Sequence, residues 1–237
     1  MLLTNTDVDA VTLDAAGTIL QPAPSVGHVY SDVAGAYDVN VKPELIHQCF
    51  LNAWQAAMSP QATTAPFDQP DDTQFAWWRN LVKSAFNDAG VLHEFGTRFD
   101  AFYADLYERF ASPDAWHIFP DVAPFLNRAR QSHIPVAIVS NWDNRLQRLV
   151  ATTPLASHIA FVLTSAEARS MKPCPQIFMQ AAHRLGVPAS RIFHIGDSPR
   201  DDIDGARAAG LQAVLIDRRD VFHEPDSIKS LFEFLPD

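Results

Sequence analysis

Five short apolar runs punctuate the chain: AVTLD ending at Asp14, PVAIVS ending at Ser140, AFVLTS ending at Ser165, RIFHIGD ending at Asp197 and QAVLID ending at Asp217. They are rich in Val, Ile and Phe and do not alternate cleanly with polar residues. Strands covered on both faces look like this, so a parallel sheet with helices on each side is expected. Between the later runs, apolar positions recur at helical spacing. DVAPFLNRARQSH leads into the second run, and PQIFMQAAHRLG places Ile177, Phe178, Ala181, Ala182 and Leu185 on one face, with Pro175 before its start and Gly186 suited to its end. DIDGARAAG is short, built of small residues and closed by Gly210. The alternation predicts a doubly wound α/β domain.

Residues 21–116 break this rhythm. KPELIHQCFLNAWQAAM carries Leu45, Cys49, Phe50, Ala53, Trp54 and Ala57 at helical spacing, and TQFAWWRNLVKSAFNDAG and RFDAFYADLYERF continue in the same manner. A turn-rich piece, SPQATTAPFDQPDD, divides them, and no strand pattern is present. The stretch reads as a helical domain inserted into a core made of residues 1–20 and 117–237. The dense aromatics there, Trp77, Trp78, Phe86, Phe102, Tyr103 and Tyr107, read as packing between its helices. The C-terminal DSIKSLFEFLPD predicts a final amphipathic helix.

With 28 acidic against 18 basic residues the formal net charge is −10, which argues against nucleic-acid and anionic-membrane binding. Cys49 and Cys174 form no metal-ligand spacing, MLLTNTDVDA lacks the pattern of a signal peptide, and no segment is apolar enough to span a bilayer. A reduced, cytoplasmic protein is expected, as a monomer or homodimer.

In an open α/β sheet, ligands bind outside the carboxyl ends of the strands. Asp14, Ser140 and Asp197 each end a predicted strand and Lys172 follows another, so reactive and charged groups converge on one edge. Each has a bland reading alone: a turn aspartate, a capping serine, a solvated lysine, an acidic helix start formed by Asp197, Asp201, Asp202 and Asp204. Their joint placement favours a site. The small residues after Asp14 suit close ligand approach, and Gly17 permits a tight turn.

LDAAGT, IVSN, KPCPQIF and HIGDSPRDDIDGARAAG together resemble the four ordered motifs of the haloacid dehalogenase (HAD) superfamily, over nearly the whole chain. WWRNLVKSAFNDAG, AWHIFPDVAPFL and SNWDNRL further resemble its REG-2-like subgroup. The resemblance implies a HAD-like Rossmannoid core, with 21–116 as a helical cap, and a small phosphorylated molecule as substrate. Asp14 would be the nucleophile of an aspartyl-phosphate route, assisted by Lys172. Mg²⁺ would be held by Asp14, the Ala16 carbonyl and Asp197, with Asp202 acting on the metal or its waters. Ser140, Asn141 and the backbone of Ala15 and Ala16 would bind the phosphate.

One departure from the superfamily pattern stands out. Two residues after the nucleophile most of its phosphatases carry a second aspartate as general acid; here it is Ala16. Such a loss typically forfeits on the order of 10²–10⁴ in rate. Three readings follow: a phosphatase for a good leaving group or with a proton supplied from the cap, where His28, Asp32, His47 and Asp68 lie; a phosphonatase-like C–P hydrolase, whose Schiff-base lysine would have to be Lys42 or Lys83; or a phosphate-binding protein with little turnover. A response-regulator receiver is disfavoured by the large insertion, and a dinucleotide-binding domain by the absence of Gly-x-Gly-x-x-Gly.

Overall fold

The computed structural model describes residues 8–58 and 66–234. The sequence reading of the N-terminal seven residues, and parts of the turn-rich piece and of the C-terminal segment, lie outside the described residues. The chain divides into two compact units, one formed by the residues up to Gln21 and from Ile118 onward, the other by Pro22–His117. Among the described residues no helix is long and apolar enough to cross a membrane.

Strand β1 (Ala10–Leu13) opens the first unit and β2 (Leu20–Pro22) ends its opening segment. The second unit holds α1 (Val26–Gly35), α2 (Pro43–Ala57), α3 (Asp71–Asp88) and α4 (Phe99–Arg109). The chain returns through β3 (Trp116–Ile118), which pairs with β2. The remainder runs α5 (Val122–Gln131), β4 (Val136–Ser140), α6 (Arg145–Ala151), β5 (Ile159–Thr164), α7 (Ser165–Ala168), α8 (Pro175–Leu185), β6 (Ile192–Gly196), a π-helical turn (Pro199–Asp204), α9 (Gly205–Ala208) and β7 (Gln212–Leu215).

The main sheet is wholly parallel, in the order β5-β4-β1-β6-β7. From β1 the chain builds outward through β4 and β5, then crosses back to lay β6 on the other side of β1. Every residue of β1, β4 and β6 is buried, whereas the edge strands β5 and β7 are partly open. The continuous apolar runs thus mark strands with both faces covered, as expected for a doubly wound sheet. The order reverses at β1, and crevices for ligands form at the carboxyl ends of strands at such a switch point. Asp14 follows β1 there.

Pro175 begins α8 and Gly186 ends it in the left-handed conformation (φ 68°). Its Ile177, Phe178, Ala181 and Ala182 pack with Ala10, Val139, Leu163 and Ile192 of the sheet. The second unit has its own core, centred on Tyr30, Phe86, Phe95, Phe102, Tyr103 and Leu106. Its rings meet edge-on and stacked, with Phe86–Phe102 centroids 5.0 Å apart and Phe95–Phe102 4.3 Å apart. Each such pair adds about 0.5–1.5 kcal/mol beyond the area it buries.

Two expectations of the sequence differ from the structure. The three-residue strands β2 and β3 were not expected in or beside the insertion. Among its described residues, the C-terminal segment forms a 3₁₀ turn, Leu231–Glu233, and no α-helix; Ser230 and Glu233 make a capping box there. Asp121, at the start of α5, accepts bonds from the Ser230 hydroxyl and the Leu231 N–H, both at 2.7 Å, and so anchors the segment as a turn. Arg218 joins the same carboxylate at 2.9 Å and also donates to the Thr18 carbonyl. Its guanidinium lies 4.0 Å from the centre of the Phe119 ring.

Candidate active site

Asp14 is held by its own backbone, whose N–H donates to the Ile195 carbonyl of β6 at 2.9 Å. The chain then turns at once. The N–H groups of Thr18, Ile19 and Leu20 converge on the Ala15 carbonyl at 3.3, 2.9 and 3.2 Å, and the Gly17 N–H reaches the Leu20 carbonyl at 2.8 Å. None of these bonds uses the Ala16 carbonyl. Gly17 has φ +84°, and a Cβ there would lie 2.1 Å from Asp197 Oδ2. The small residues after Asp14 therefore make room for a second carboxylate, brought in at the end of β6. Ala15 is buried, while Ala16, two residues after Asp14, is exposed.

The Asp14 side chain is nearly buried and takes both of its hydrogen bonds on Oδ1. Ser140, the last residue of β4, donates its hydroxyl at 2.9 Å, and Lys172 donates its ammonium at 2.5 Å. Oδ2 has no protein donor among the described residues. The Lys172 ammonium also reaches Asp202 Oδ1 at 2.5 Å. Asp202 lies in the π-helical turn, where its Oδ1 further accepts from His194 at 3.0 Å and its Oδ2 from the Ser198 N–H at 2.9 Å.

Oxygen atoms of Asp14, Asp197 and Asp202 lie within 4.8 Å of one another. Burial pushes the Asp197 carboxyl up to about 7, with the charges of Asp14 and Asp202 adding to the effect. Burial raises Asp14 and Asp201 as well, against the attraction of Lys172. Lys172 moves upward although burial opposes its charge, because two carboxylates hold it. The Asp202 carboxyl is depressed although burial opposes that too, because Lys172 and His194 hold it. One ammonium thus faces several crowded carboxylates. Such a set of hard oxygens suits a divalent cation, with Asp14, Asp197 and the Ala16 carbonyl as its candidate donors.

Asn141 follows Ser140, and its amide is committed to the Lys172 backbone: Nδ2 donates to the Lys172 carbonyl at 2.9 Å, and Oδ1 accepts the Lys172 N–H at 2.7 Å. Within the second unit, Lys42 and Lys83 are exposed. His28 shares a hydrogen bond with Ser25 at 2.9 Å, Asp32 is exposed, and His47 and Asp68 are half-buried.

Residues 8–210 match the family model described as haloacid dehalogenase-like hydrolase. The chain belongs to this family. This HAD-like hydrolase is 32 % identical over 212 residues to the haloacid dehalogenase-like hydrolase domain-containing protein 3 of Danio rerio, covering 89 % of this chain and 85 % of that one. It is 30 % identical to a phosphoserine phosphatase of Thermus thermophilus, covering 87 % of each chain. Among solved structures, a dehalogenase superposes with a TM-score of 0.71 at 20 % identity, over 98 % of this chain and 96 % of that one, a likeness of fold.

Reading the hydrolase from its sequence brings Asp14, Ser140, Lys172, Asp197 and Asp202 together but misses two buried polar residues beside them, Thr12 and His194. Their signal is a polar residue in the middle of a fully apolar strand, AVTLD and RIFHIGD.

Proposed function

We propose that the protein is a Mg²⁺-dependent phosphatase acting on a small phosphorylated molecule through an aspartyl-phosphate intermediate. The observation that carries this reading is the posture of Asp14: one oxygen is fixed by Lys172 and Ser140, the other has no protein donor among the described residues, and Asp197 lies within reach. The likeness to a phosphoserine phosphatase at 30 % identity supports it.

In this scheme Asp14 Oδ2 attacks phosphorus, forming the P–O bond to the carboxylate while the bond to the leaving oxygen breaks. Water then cleaves the acyl phosphate, releasing inorganic phosphate and restoring the carboxylate. Lys172 holds Asp14 in place and balances charge on the transferring group; the amides of Ala15 and Ala16 receive phosphoryl oxygens, and with substrate bound the Ser140 hydroxyl turns its proton from Asp14 Oδ1 to join them. Bound at Asp14, Asp197 and the Ala16 carbonyl, Mg²⁺ supplies neutralising charge for the phosphoryl group. Asp202, with its oxygens occupied by Lys172, His194 and Ser198, anchors the lysine, and Asn141 fixes the backbone that carries it. With an alanine at position 16, the leaving group departs without a proton from that position, so acyl and aryl phosphates are favoured over alkyl esters.

A panel of acyl, aryl and alkyl phosphates assayed with and without Mg²⁺ tests this. Turnover that needs Mg²⁺ and is lost in Asp14→Asn supports the reading. Metal-independent hydrolysis unchanged by that substitution overturns it, and a flat panel with tight phosphate or beryllofluoride binding indicates a binding protein instead.

A further inference from the structure

The fully buried residues Thr12 and His194 are polar groups in the middle of the sheet, where an unmade hydrogen bond is costly. They are register partners on the neighbouring parallel strands β1 and β6, so their side chains stand on the same face. Thr12 Oγ1 meets His194 Nδ1 at 2.9 Å, and His194 Nε2 meets Asp202 Oδ1 at 3.0 Å. A carboxylate only accepts, so Nε2 carries a proton and donates to Asp202, while Nδ1 shares its hydrogen bond with the Thr12 hydroxyl. The ring is also fixed from the side: Phe178 of α8 packs edge-on against it, with centroids 5.0 Å apart at 79°. Gly196, two residues along β6, completes the arrangement, because a Cβ there would lie 2.1 Å from Asp202 Cγ.

We infer that Thr12 and His194 form a buried brace that sets the position of the Lys172 ammonium through Asp202. Asp202 Oδ1 is shared between His194 and Lys172, and Lys172 in turn is shared between Asp202 and Asp14. The His194 N–H fixes the rotation of the Asp202 carboxylate and draws off part of its charge, so that the ammonium is divided between two carboxylates and not captured by one. Without the brace, Asp202 keeps the Ser198 N–H on Oδ2 but loses the donor that shares Oδ1 with Lys172, and the ammonium is drawn toward Asp202 and away from Asp14 Oδ1. Thr12 and His194 touch neither substrate nor reacting atoms; they are positioning residues.

The kinetic part of the test rests on the phosphatase reading, and the spectroscopic part does not. In the full chain labelled with ¹⁵N-lysine, the buried Lys172 ammonium gives a solvent-protected NMR signal, identified by its loss in Lys172→Met and distinct from Lys42, Lys83 and Lys229. In Thr12→Val, which keeps the side-chain shape, and in His194→Leu, this signal is expected to shift or broaden into solvent exchange, with kcat falling about tenfold to hundredfold and KM nearly unchanged. Thr12→Ser and His194→Gln, which keep the donors, should restore both. A Lys172 signal and kcat in Thr12→Val identical to the wild type overturn the brace, and this variant decides the matter alone if His194→Leu does not fold. If the wild type hydrolyses no phosphate ester, the phosphatase reading fails, while the ammonium signal still decides for or against the brace.

Discussion

Adding a methyl group at Gly17 would set it 2.1 Å from Asp197 Oδ2, in a backbone conformation that L-residues resist. Gly17→Ala is therefore expected to lower folding stability by about 1–3 kcal/mol and to push Asp197 away from Asp14. Titration calorimetry with Mg²⁺ should show weakened binding well beyond what the stability loss explains, and unchanged affinity would separate Asp197 from the metal site. One residue earlier, Ala16 presents an exposed methyl; on the proposed phosphatase reading, an acid in its place would serve the leaving oxygen. Ala16→Asp should raise kcat for alkyl phosphates, by up to about 10²-fold, and change aryl phosphate turnover far less, because an activated leaving group gains little from protonation. Steady-state kinetics on paired substrates checks this, and an equal effect on both classes would place the missing acid elsewhere.

Between elements, the decisive contacts join loops that the chain keeps far apart. The Asn141 amide spans the Lys172 backbone across 31 residues of sequence. Asn141→Ala leaves two backbone groups to find other partners, so urea unfolding should show a loss of about 1–3 kcal/mol and kinetics a lower kcat. A variant as stable and as active as the wild type would mean that Lys172 is placed without the clasp. Contacts of this kind explain what the sequence could and could not show. β1, β4 and β6 are legible because full burial writes an unbroken apolar run, and Asp14, Ser140 and Asp197 are legible because each stands where such a run stops. β2 and β3 are three residues each, too short for a pattern, and β2 ends in Pro22. Asn141 reads as a loop residue able to contact substrate, and nothing local in the sequence reveals its bonds to the Lys172 backbone. Thr12 and His194 are visible as polar interruptions, but their meaning depends on the β1–β6 register, which only the folded sheet supplies.

At the scale of the molecule, each of the two units has an apolar core of its own. The first is also tied together by polar groups around Asp121. Burial opposes the charge of this carboxyl, yet bonds from Arg218, Ser230 and the Leu231 N–H hold it below the ordinary carboxylate range. A folded-state value lowered in this way contributes stability above the unfolded value, and that contribution fades as pH falls through the folded one. Asp121→Asn should accordingly be less stable than the wild type at neutral pH, and the gap should narrow as the solution is acidified. Urea unfolding at several pH values measures it, and a gap independent of pH would mean that the carboxylate charge plays no part.

The bonds that converge on Asp14 span 126 residues to Ser140 and 158 to Lys172, and the neighbouring strand contact from Thr12 spans 182 to His194. Pairings this distant are slow to form, since much loop entropy is lost before any of them is made. On the ribosome, Asp14 precedes Ser140 and Lys172 by more than a hundred residues and waits, without the acids of Asp197 and Asp202, until the strand carrying His194 has been synthesised and docks beside β1. A nascent chain therefore lacks the assembled cluster until β6 has emerged, and a fragment ending before that strand would hold Asp14, Ser140 and Lys172 without Asp197, Asp202 and the His194 that faces them.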